Sequence, residues 1–412
     1  MQVEQRLLKY VSYWTTSDEN NITDGKVQIP STGRQFDLGK VLEQELRDLG
    51  LKNVVLTDHC YVYGLLPATA GCEGRKAVGF ISHMDTAPDY SGENVNPQII
   101  ENYDGKDVVL GTSGRTLTVK DFPSLKNMTG KTLITTDGTT LLGADDKAGI
   151  AEIMTVAEEL LKGDIPHGNV CLAFTTDEEV GSGACHMDLE RFGAPYAYTV
   201  DGGPEGEIQF ENFNAASAEF AIHGVNVHPG EAKDIMVNSM KIAMELQGML
   251  PEQEAPEHTE GYEGFFHLME MNGSVEETTM SYLIREFDAE KYEARKALMQ
   301  EITAKINAKY GEGTVELKLE DSYRNMREMI EPCMQLIDFA VQACKDADVE
   351  PDIAPIRGGT DGARLSFVGL PCPNLGTGGY GFHGAYEHIT VEGMDKSAAI
   401  IKNIISQFAH QM

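Results

Sequence analysis

Short, continuously apolar runs alternate with amphipathic stretches in the first half of the chain, and this alternation limits its possible folds. Residues 77–82, 170–175 and 196–200 are apolar runs of the kind found in strands buried on both faces. Residues 38–49 and 147–161 carry apolar side chains at helical spacing, and Gly50 and Gly163 follow them as helix stops. Strands that alternate with helices predict an α/β fold with a mixed, mostly parallel sheet.

A different pattern begins near residue 212. Strands are predicted over 218–223, 264–270, 279–287 and 314–319, with helices over 235–250 and 289–310 and a turn at Asn272-Gly273. The order β-α-β-β-α-β is that of a ferredoxin-like α+β domain. We therefore expect two domains: one built from residues 1–212 and 322–412, and a second, inserted one from residues 213–321.

The charge and cysteine content exclude several classes of protein. A formal net charge of −32 repels phosphate backbones and disfavours anionic membranes, so neither nucleic acid nor a membrane is an expected partner. The first residues read as an amphipathic helix and not as a signal peptide. The seven cysteines are scattered without a CxxC pair, which favours reduced thiols in a cytoplasmic protein.

Metal-binding residue types follow the predicted strands, where an open α/β sheet places its ligands. Five stretches carry them, namely His83 with Asp85, Asp145 with Asp146, Glu178 with Glu179, Asp201, and His383. Taken singly, each motif is also an ordinary turn, helix cap or solvated helix start. Their shared position after strands predicts that they converge at one edge of the sheet.

Nitrogen and carboxylate ligands without a thiolate suit zinc or a similar divalent ion. A bridging carboxylate can hold two such ions about 3.5–4 Å apart, the arrangement of two-metal hydrolytic sites. Glu178 and Glu179 can divide the work, since neighbouring side chains diverge and one can serve as general base. Asp85 lies two residues after His83 and can accept the second ring N–H of that histidine.

A family resemblance covers essentially the whole chain. The segments SHMDTAPD, LLGADDKAGIAEIM, FTTDEEVGSGA, NVHPG, IREFD and PIRGGTDGA resemble the peptidase T (aminotripeptidase) family of dinuclear zinc metallopeptidases, a group that includes carboxypeptidase G and the aminoacylases. The resemblance implies a catalytic metal-binding domain and an inserted lid of the dimerisation type. It also implies a cis peptide bond between Asp145 and Asp146.

The resemblance implies a role for each residue of the metal site. His83 and Asp201 would bind one Zn²⁺ ion, Glu179 and His383 the other, and Asp145 would bridge the two. Glu178 would be the general base, and Asp85 would orient His83.

Three residues outside that site are implied to contact the substrate. His228 would stabilise the oxyanion, Arg285 would bind the C-terminal carboxylate of the peptide, and Arg357 would line the substrate site. Each also has a plain structural interpretation. His228 could be a turn residue before a proline, Arg285 a cross-strand ion pair, and Arg357 part of a tight turn.

The function that follows is a zinc-dependent aminopeptidase of the cytoplasm, a possible homodimer, that removes the N-terminal residue from tripeptides. A dipeptidase or an N-acyl-amino-acid deacylase on the same scaffold stays open as an alternative. A non-catalytic peptide-binding protein is less consistent with the sequence, because it has no need to keep both Glu178 and Asp145.

Overall fold

The computed structural model describes residues 1–23, 26–163 and 165–411. The helices are α1 (Val3–Val11), α2 (Gln35–Leu49), α3 (Ala144–Lys162), α4 (Leu189–Phe192), α5 (Ser239–Gln247), α6 (Ala289–Tyr310), α7 (Arg327–Ile330), α8 (Gln335–Asp346), α9 (Asp361–Phe367) and α10 (Val391–Gln411). The strands of the first half are β1 (Ile22–Thr23), β2 (Lys26–Val27), β3 (Lys52–Leu56), β4 (Val62–Leu66), β5 (Val78–His83), β6 (Gln98–Ile100), β7 (Val108–Leu110), β8 (Arg115–Leu117), β9 (Leu133–Thr135) and β10 (Val170–Thr175). Those of the second half are β11 (Ala197–Val200), β12 (Glu207–Gln209), β13 (Asn214–His223), β14 (Phe265–Gly273), β15 (Glu277–Glu286), β16 (Val315–Tyr323), β17 (Asp352–Ile353), β18 (Asn374–Leu375), β19 (Gly379–Tyr380) and β20 (His388–Thr390).

The chain divides into two compact units. The first contains Met1–Phe210, Glu328–Ala354 and Thr360–Met412, and the second contains Glu211–Arg327 together with Pro355–Gly359. The structure thus joins the short segment Pro355–Gly359 to the second unit, a segment that the sequence analysis assigned to the first. The catalytic and lid roles of the two units stay predictions.

The first unit is built on a mixed sheet with the strand order β17-β12-β18-β11-β5-β10-β4-β3. Its central strands β11, β5 and β10 are parallel, whereas β4 and β3 are antiparallel to their neighbours. Every residue of β5 and β10 is buried, as expected for strands covered by helices on both faces. The predicted α/β fold with a mixed, mostly parallel sheet is confirmed.

Helix α3 covers this sheet and begins at the carboxyl ends of its strands. It packs against α1, α10 and β5. A Cβ atom on Gly149 would lie 2.1 Å from the main-chain oxygen of Val200, at the end of β11. Only glycine allows so close an approach, and this holds the first turns of α3 against the strand ends where the candidate site lies.

The second unit has the predicted ferredoxin-like order β13-α5-β14-β15-α6-β16, and its strands form an antiparallel sheet in the order β14-β15-β13-β16. Helix α6 has the predicted bounds. One local prediction is wrong. Asn272 and Gly273 are the last residues of β14, paired with Thr279 and Thr278, and the turn is formed by residues 274–276. Cross-strand pairing outweighs the turn preference of the Asn-Gly pair here.

Glu152 in α3 provides a test of how this helix packs. Its side chain is fully buried, and within the described residues neither carboxylate oxygen has a hydrogen-bond partner. Burial, together with the negative Asp395 and Glu205, raises the pKa of Glu152 well above its ordinary value. The preference of the folded state for protonated Glu152 stabilises the protein fully at pH values below about 4.3, the pKa of glutamate in an unfolded chain. This stabilisation is lost as the pH rises through the pKa of Glu152 in the folded state.

We therefore expect Glu152→Gln to stabilise the protein at neutral and alkaline pH. Its advantage over the wild type should grow by up to about 1.4 kcal/mol per pH unit in urea unfolding measured from pH 5 to pH 8. Glu159→Gln, on the exposed side of the same helix, is the matched control. An advantage of Glu152→Gln that does not change with pH would contradict this account.

Candidate metal centre

The candidate site lies at the carboxyl ends of the parallel strands β11, β5 and β10. His83 is the last residue of β5 and is paired with Thr175, the last residue of β10. Asp201 follows β11 directly, and Asp145 lies at the start of α3. Parallel strands end at the same edge of a sheet, so segments far apart in sequence come together there.

The predicted ligands lie within contact distance of one another. The Nε2 atom of His83 is 3.0 Å from Oδ1 of Asp145 and 3.6 Å from Oδ1 of Asp201. The Nε2 atom of His383 is 3.3 Å from Oδ2 of Asp145 and 3.0 Å from Oε2 of Glu179. The two oxygens of Asp145 therefore face two different histidines, as a bridging carboxylate would.

Among the residues that the structure describes, two overlapping groups of side chains could hold a metal ion. One is His83, Asp145 and Glu179, and the other is His83, Asp146 and Asp201. The second group contains Asp146, which the sequence analysis did not propose as a ligand. Its Oδ1 atom is buried without a hydrogen-bond partner in the described residues, and so is Oε1 of Glu179.

The protonation equilibria of the two histidines reflect the crowding of negative charge. Burial lowers the pKa of His83, but Asp201 and Asp145 outweigh it and raise the pKa well above its ordinary value. Hydrogen bonds to Asp145 and Glu179 raise the pKa of His383 to about 11. In both cases a positive charge at the ring nitrogens is favoured, and a divalent cation supplies such a charge.

The carboxylates show the same crowding. Burial and the nearby Asp145 raise the pKa of Glu179 to about 8. Burial and Asp201 raise the pKa of Glu178 well above its ordinary value. Burial alone would raise the pKa of Asp145, but the two histidines outweigh it and lower that pKa. Imidazole nitrogens and carboxylate oxygens around buried negative charge fit a divalent metal.

Asp85 links two of the ligand segments. Its Oδ1 and Oδ2 atoms accept hydrogen bonds from the main-chain N–H groups of Glu178 and Glu179, at 3.1 and 3.2 Å. The Nδ1 atom of His83 lies 3.0 Å from the main-chain oxygen of Asp85 and 3.4 Å from its Oδ1. The ring of His83 thus lies closer to the main-chain oxygen of Asp85 than to its carboxylate, which holds the Glu178–Glu179 main chain. The role of Asp85 in orienting His83 stays a prediction.

Sequence analysis gave no role to two further carboxylates. The buried Glu387 accepts hydrogen bonds from the main-chain N–H groups of Leu142, Gly143 and Asp145, at 2.7, 2.8 and 3.0 Å. Oδ2 of Asp146 accepts one from the N–H of His83, at 3.0 Å. The position of Glu387 four residues after His383 is the signal in the sequence that could have identified it.

The peptide bond between Asp145 and Asp146 is cis, as the family resemblance implied. This prediction is confirmed.

His228, Arg285 and Arg357 lie in the second unit. His228 is exposed, and its Nδ1 atom accepts a hydrogen bond from the N–H of Gly230. Arg285 in β15 lies 5.1 Å from the ring centre of Tyr323 and donates to its neighbour's carbonyl, that of Ile284. Their roles in substrate binding stay predictions.

The Arg357 guanidinium group is already occupied within the second unit. It donates to the main-chain oxygens of Gly261 and Glu263, at 2.6 and 3.1 Å, and to Oγ1 of Thr259, at 3.2 Å. These contacts connect the segment Pro355–Gly359 to the loop before β14. They favour a role for Arg357 in holding that loop.

Comparison with known proteins identifies the family. Peptidase T of Clostridium novyi is 53% identical over 409 residues, which cover 99% of this chain and 99% of that protein. The chain belongs to the peptidase T family. The peptidase dimerisation domain family matches residues 210–314, and the M42 glutamyl aminopeptidase family matches residues 129–253.

Two solved structures share the fold of this chain. An aminopeptidase from Bacillus cereus superposes with a TM-score of 0.78 at 25% identity, covering 99% of this chain and 98% of that one. A tripeptidase from Staphylococcus aureus superposes with a TM-score of 0.78 at 22% identity, covering 100% and 98%. The family and fold predicted from the sequence are confirmed, and the protein is a hydrolase.

The crowding of carboxylates predicts that metal removal destabilises the protein. A chelator should lower the midpoint of thermal unfolding, and a divalent cation should restore it. One ion at a hundred times its Kd, binding the native state alone, adds about 2.7 kcal/mol. Asp145→Asn should abolish most of this response, since an amide cannot bridge two cations. Asp48→Asn, on the exposed end of α2, should keep the full response. An unchanged response in Asp145→Asn would contradict the bridging position.

Proposed function

We propose that this protein is a metal-dependent aminopeptidase that releases the N-terminal residue from tripeptides. The observation that carries the proposal is the position of Asp145 between His83 and His383, in a chain related to peptidase T over its whole length. The names of the Bacillus cereus and Staphylococcus aureus proteins, an aminopeptidase and a tripeptidase, support the reaction and the substrate.

The metal proposed is zinc, with two ions per chain. His83 and Asp201 would hold one, Glu179 and His383 the other, and Asp145 would bridge them. Zinc suits this set because it accepts both imidazole and carboxylate ligands in small, low-coordinate sites. When bound, two such ions polarise a carbonyl group and make water more acidic.

Glu178 is the proposed general base. Glu178 is partly buried at the site, and burial together with Asp201 raises its pKa above the ordinary value, which strengthens the carboxylate as a proton acceptor. It would take the proton of the attacking water and pass it to the departing amine of the peptide. Glu179 is adjacent in sequence, but its Oε2 atom lies 3.0 Å from Nε2 of His383, which supports a separate role for it as a metal ligand.

Glu178→Gln should keep its bound metal and lose nearly all turnover of a tripeptide such as trialanine, because an amide of similar shape cannot accept the proton. The expected loss in kcat is at least about a hundredfold, the usual contribution of general-base catalysis. Metal analysis of the purified variant distinguishes this result from loss of the site. Turnover close to that of the wild type would overturn the role of Glu178.

Two residues of the second unit are proposed to contact the substrate. His228 would donate to the oxyanion, and Arg285 would bind the C-terminal carboxylate of the tripeptide with its planar guanidinium group. An arginine that binds the C-terminal carboxylate would select peptide length, since it recognises only peptides whose carboxylate reaches it. Arg357 would line the substrate site indirectly, by holding the loop whose main-chain oxygens it binds.

An aminopeptidase must also recognise the free amine of its substrate, which is a cation at neutral pH. Asp89 is suited to this task. Its side chain is 66% exposed, and its Oδ2 atom lies 3.8 Å from Nδ1 of His383, beyond hydrogen-bond distance. By contrast, Asp85 and Glu387 are buried and hold main-chain N–H groups. Because the amine is two bonds from the scissile carbonyl carbon, its partner must lie beside the metal ligands, as Asp89 does.

Asp89→Asn should raise the KM for trialanine about tenfold or more, with a smaller change in kcat, since the variant loses one charge-assisted contact to the amine. It should also lose most of the preference for trialanine over the analogue that lacks the amine, propionyl-dialanine. Glu93→Gln, an exposed carboxylate further along the same loop, is the matched control. An unchanged preference in Asp89→Asn would rule out Asp89 as the amine-binding group.

The alternatives keep the same metal site and differ in substrate. Di-, tri- and tetrapeptides, assayed beside N-acetyl amino acids, separate an aminotripeptidase from a dipeptidase and from a deacylase.

The match of residues 210–314 to the peptidase dimerisation domain supports a homodimer. All seven cysteines are free, which supports a reducing, cytoplasmic location. Within the described residues, no helix combines the length and the apolar character needed to cross a membrane.

A further inference from the structure

The residue immediately before the proposed base is held in an unusual way. Asp177 has a φ of +58°, a left-handed conformation that is uncommon outside glycine, and its side chain is fully buried. Its Oδ2 atom accepts a hydrogen bond from the main-chain N–H of Ser31 at 2.6 Å, and its Oδ1 atom accepts one from the Ser31 hydroxyl at 2.6 Å. Oδ1 also accepts a hydrogen bond from Nε2 of Gln35, again at 2.6 Å.

Gln35 holds the preceding residue as well. Its Oε1 atom accepts a hydrogen bond from the hydroxyl of Thr176, while its Nε2 atom donates to Asp177. Both polar atoms of the Gln35 amide are thus hydrogen-bonded: the oxygen accepts from a hydroxyl group, and the nitrogen donates to a carboxylate. Gln35 and Thr176 are fully buried, so these contacts do not compete with bulk water.

Glu178 itself is placed through its main chain. Within the described residues, its side chain forms no hydrogen bond, whereas its main-chain N–H donates to Asp85. The segment 176–179 is therefore held from two directions, by Asp85 on one side and by Ser31 and Gln35 on the other. The direction of the Glu178 side chain follows from the backbone that these contacts fix.

We propose that Ser31 and Gln35 are positioning residues for Glu178 and act through Asp177. The proposal rests on the proposed role of Glu178 as general base. Ser31 and Gln35 lie more than a hundred residues before Glu178 in sequence, and neither is a proposed metal ligand. The proposal therefore gives their segment a part in the reaction that the metal ligands alone do not suggest. A shift of a base by about 1 Å can cost a hundredfold in rate, so loss of one anchor should reduce turnover without removing the metal.

Ser31→Ala and Gln35→Ala test the proposal in the full-length protein loaded with zinc. Each should lower kcat for trialanine about tenfold or more, leave KM within about twofold, and keep the bound metal unchanged by elemental analysis. Ser31→Thr keeps the hydroxyl and the N–H group, and it should recover most of the turnover lost in Ser31→Ala.

Ser17→Ala is the matched control. The buried Ser17 hydroxyl donates to the carbonyl of Thr86, so this variant removes a contact of the same N-terminal segment while the contacts of Ser31 and Gln35 to Asp177 remain. Its kcat should stay within about twofold of the wild type, even where its melting temperature falls as far as that of Ser31→Ala.

Two results overturn the proposal. One is wild-type kcat in both Ser31→Ala and Gln35→Ala. The other is a loss of kcat that Ser17→Ala matches or that follows a loss of bound metal. Glu178→Gln, assayed in parallel, separates this failure from that of the proposed function. If Glu178→Gln is inactive while Ser31→Ala and Gln35→Ala are fully active, the positioning role of Ser31 and Gln35 is wrong, but the proposed role of Glu178 as general base stands. If Glu178→Gln retains wild-type turnover, the role of the base fails as well.

Discussion

Carboxylates that accept main-chain N–H groups from distant segments are the interaction on which this site depends. Asp85 holds the main chain of Glu178 and Glu179, Asp146 holds that of His83, and Glu387 holds that of Asp145. In each case the carboxylate lies on one ligand segment and the N–H group on another. The ligand segments are therefore tied together by charge-assisted hydrogen bonds, independently of any ion between them. The site can keep its shape while a cation binds or leaves.

The same arrangement makes the site strongly electronegative. Desolvation and the nearby Asp145 raise the pKa of Glu179 and Asp201, and hydrogen bonds to Asp145 and Glu179 raise that of His383 to about 11. A protein that gathers so many acids in one place has lower stability unless something positive offsets them. A divalent cation is the natural counter-charge, and the acids that crowd the site also give it affinity for the ion. The cost to folding and the affinity for metal thus have one origin.

Sequence reasoning could predict the elements that burial dictates. The apolar runs of β5 and β10, the helical spacing of α6 and the positions of metal-binding residue types after strands all arise from local patterns that a core requires. It could not identify Gln35 or Ser31. Their partners are the carboxylate of Asp177 and the hydroxyl of Thr176, far along the chain, and no local pattern marks such contacts. The prediction of a turn at Asn272-Gly273 is wrong for a related reason, because pairing with β15 decides where β14 ends.

The way Glu178 is held follows from what a base has to do. A carboxylate that accepts strong hydrogen bonds from the protein has a lower pKa and less capacity to take a proton from water. Its oxygens must therefore stay free, and its position has to be fixed by other means. Holding the main chain on both sides, through Asp85 and through Asp177, fixes the direction of the side chain and leaves its oxygens available. The N-terminal segment that contains Ser31 and Gln35 thus serves the same reaction as the metal ligands, by fixing the position of the proposed base.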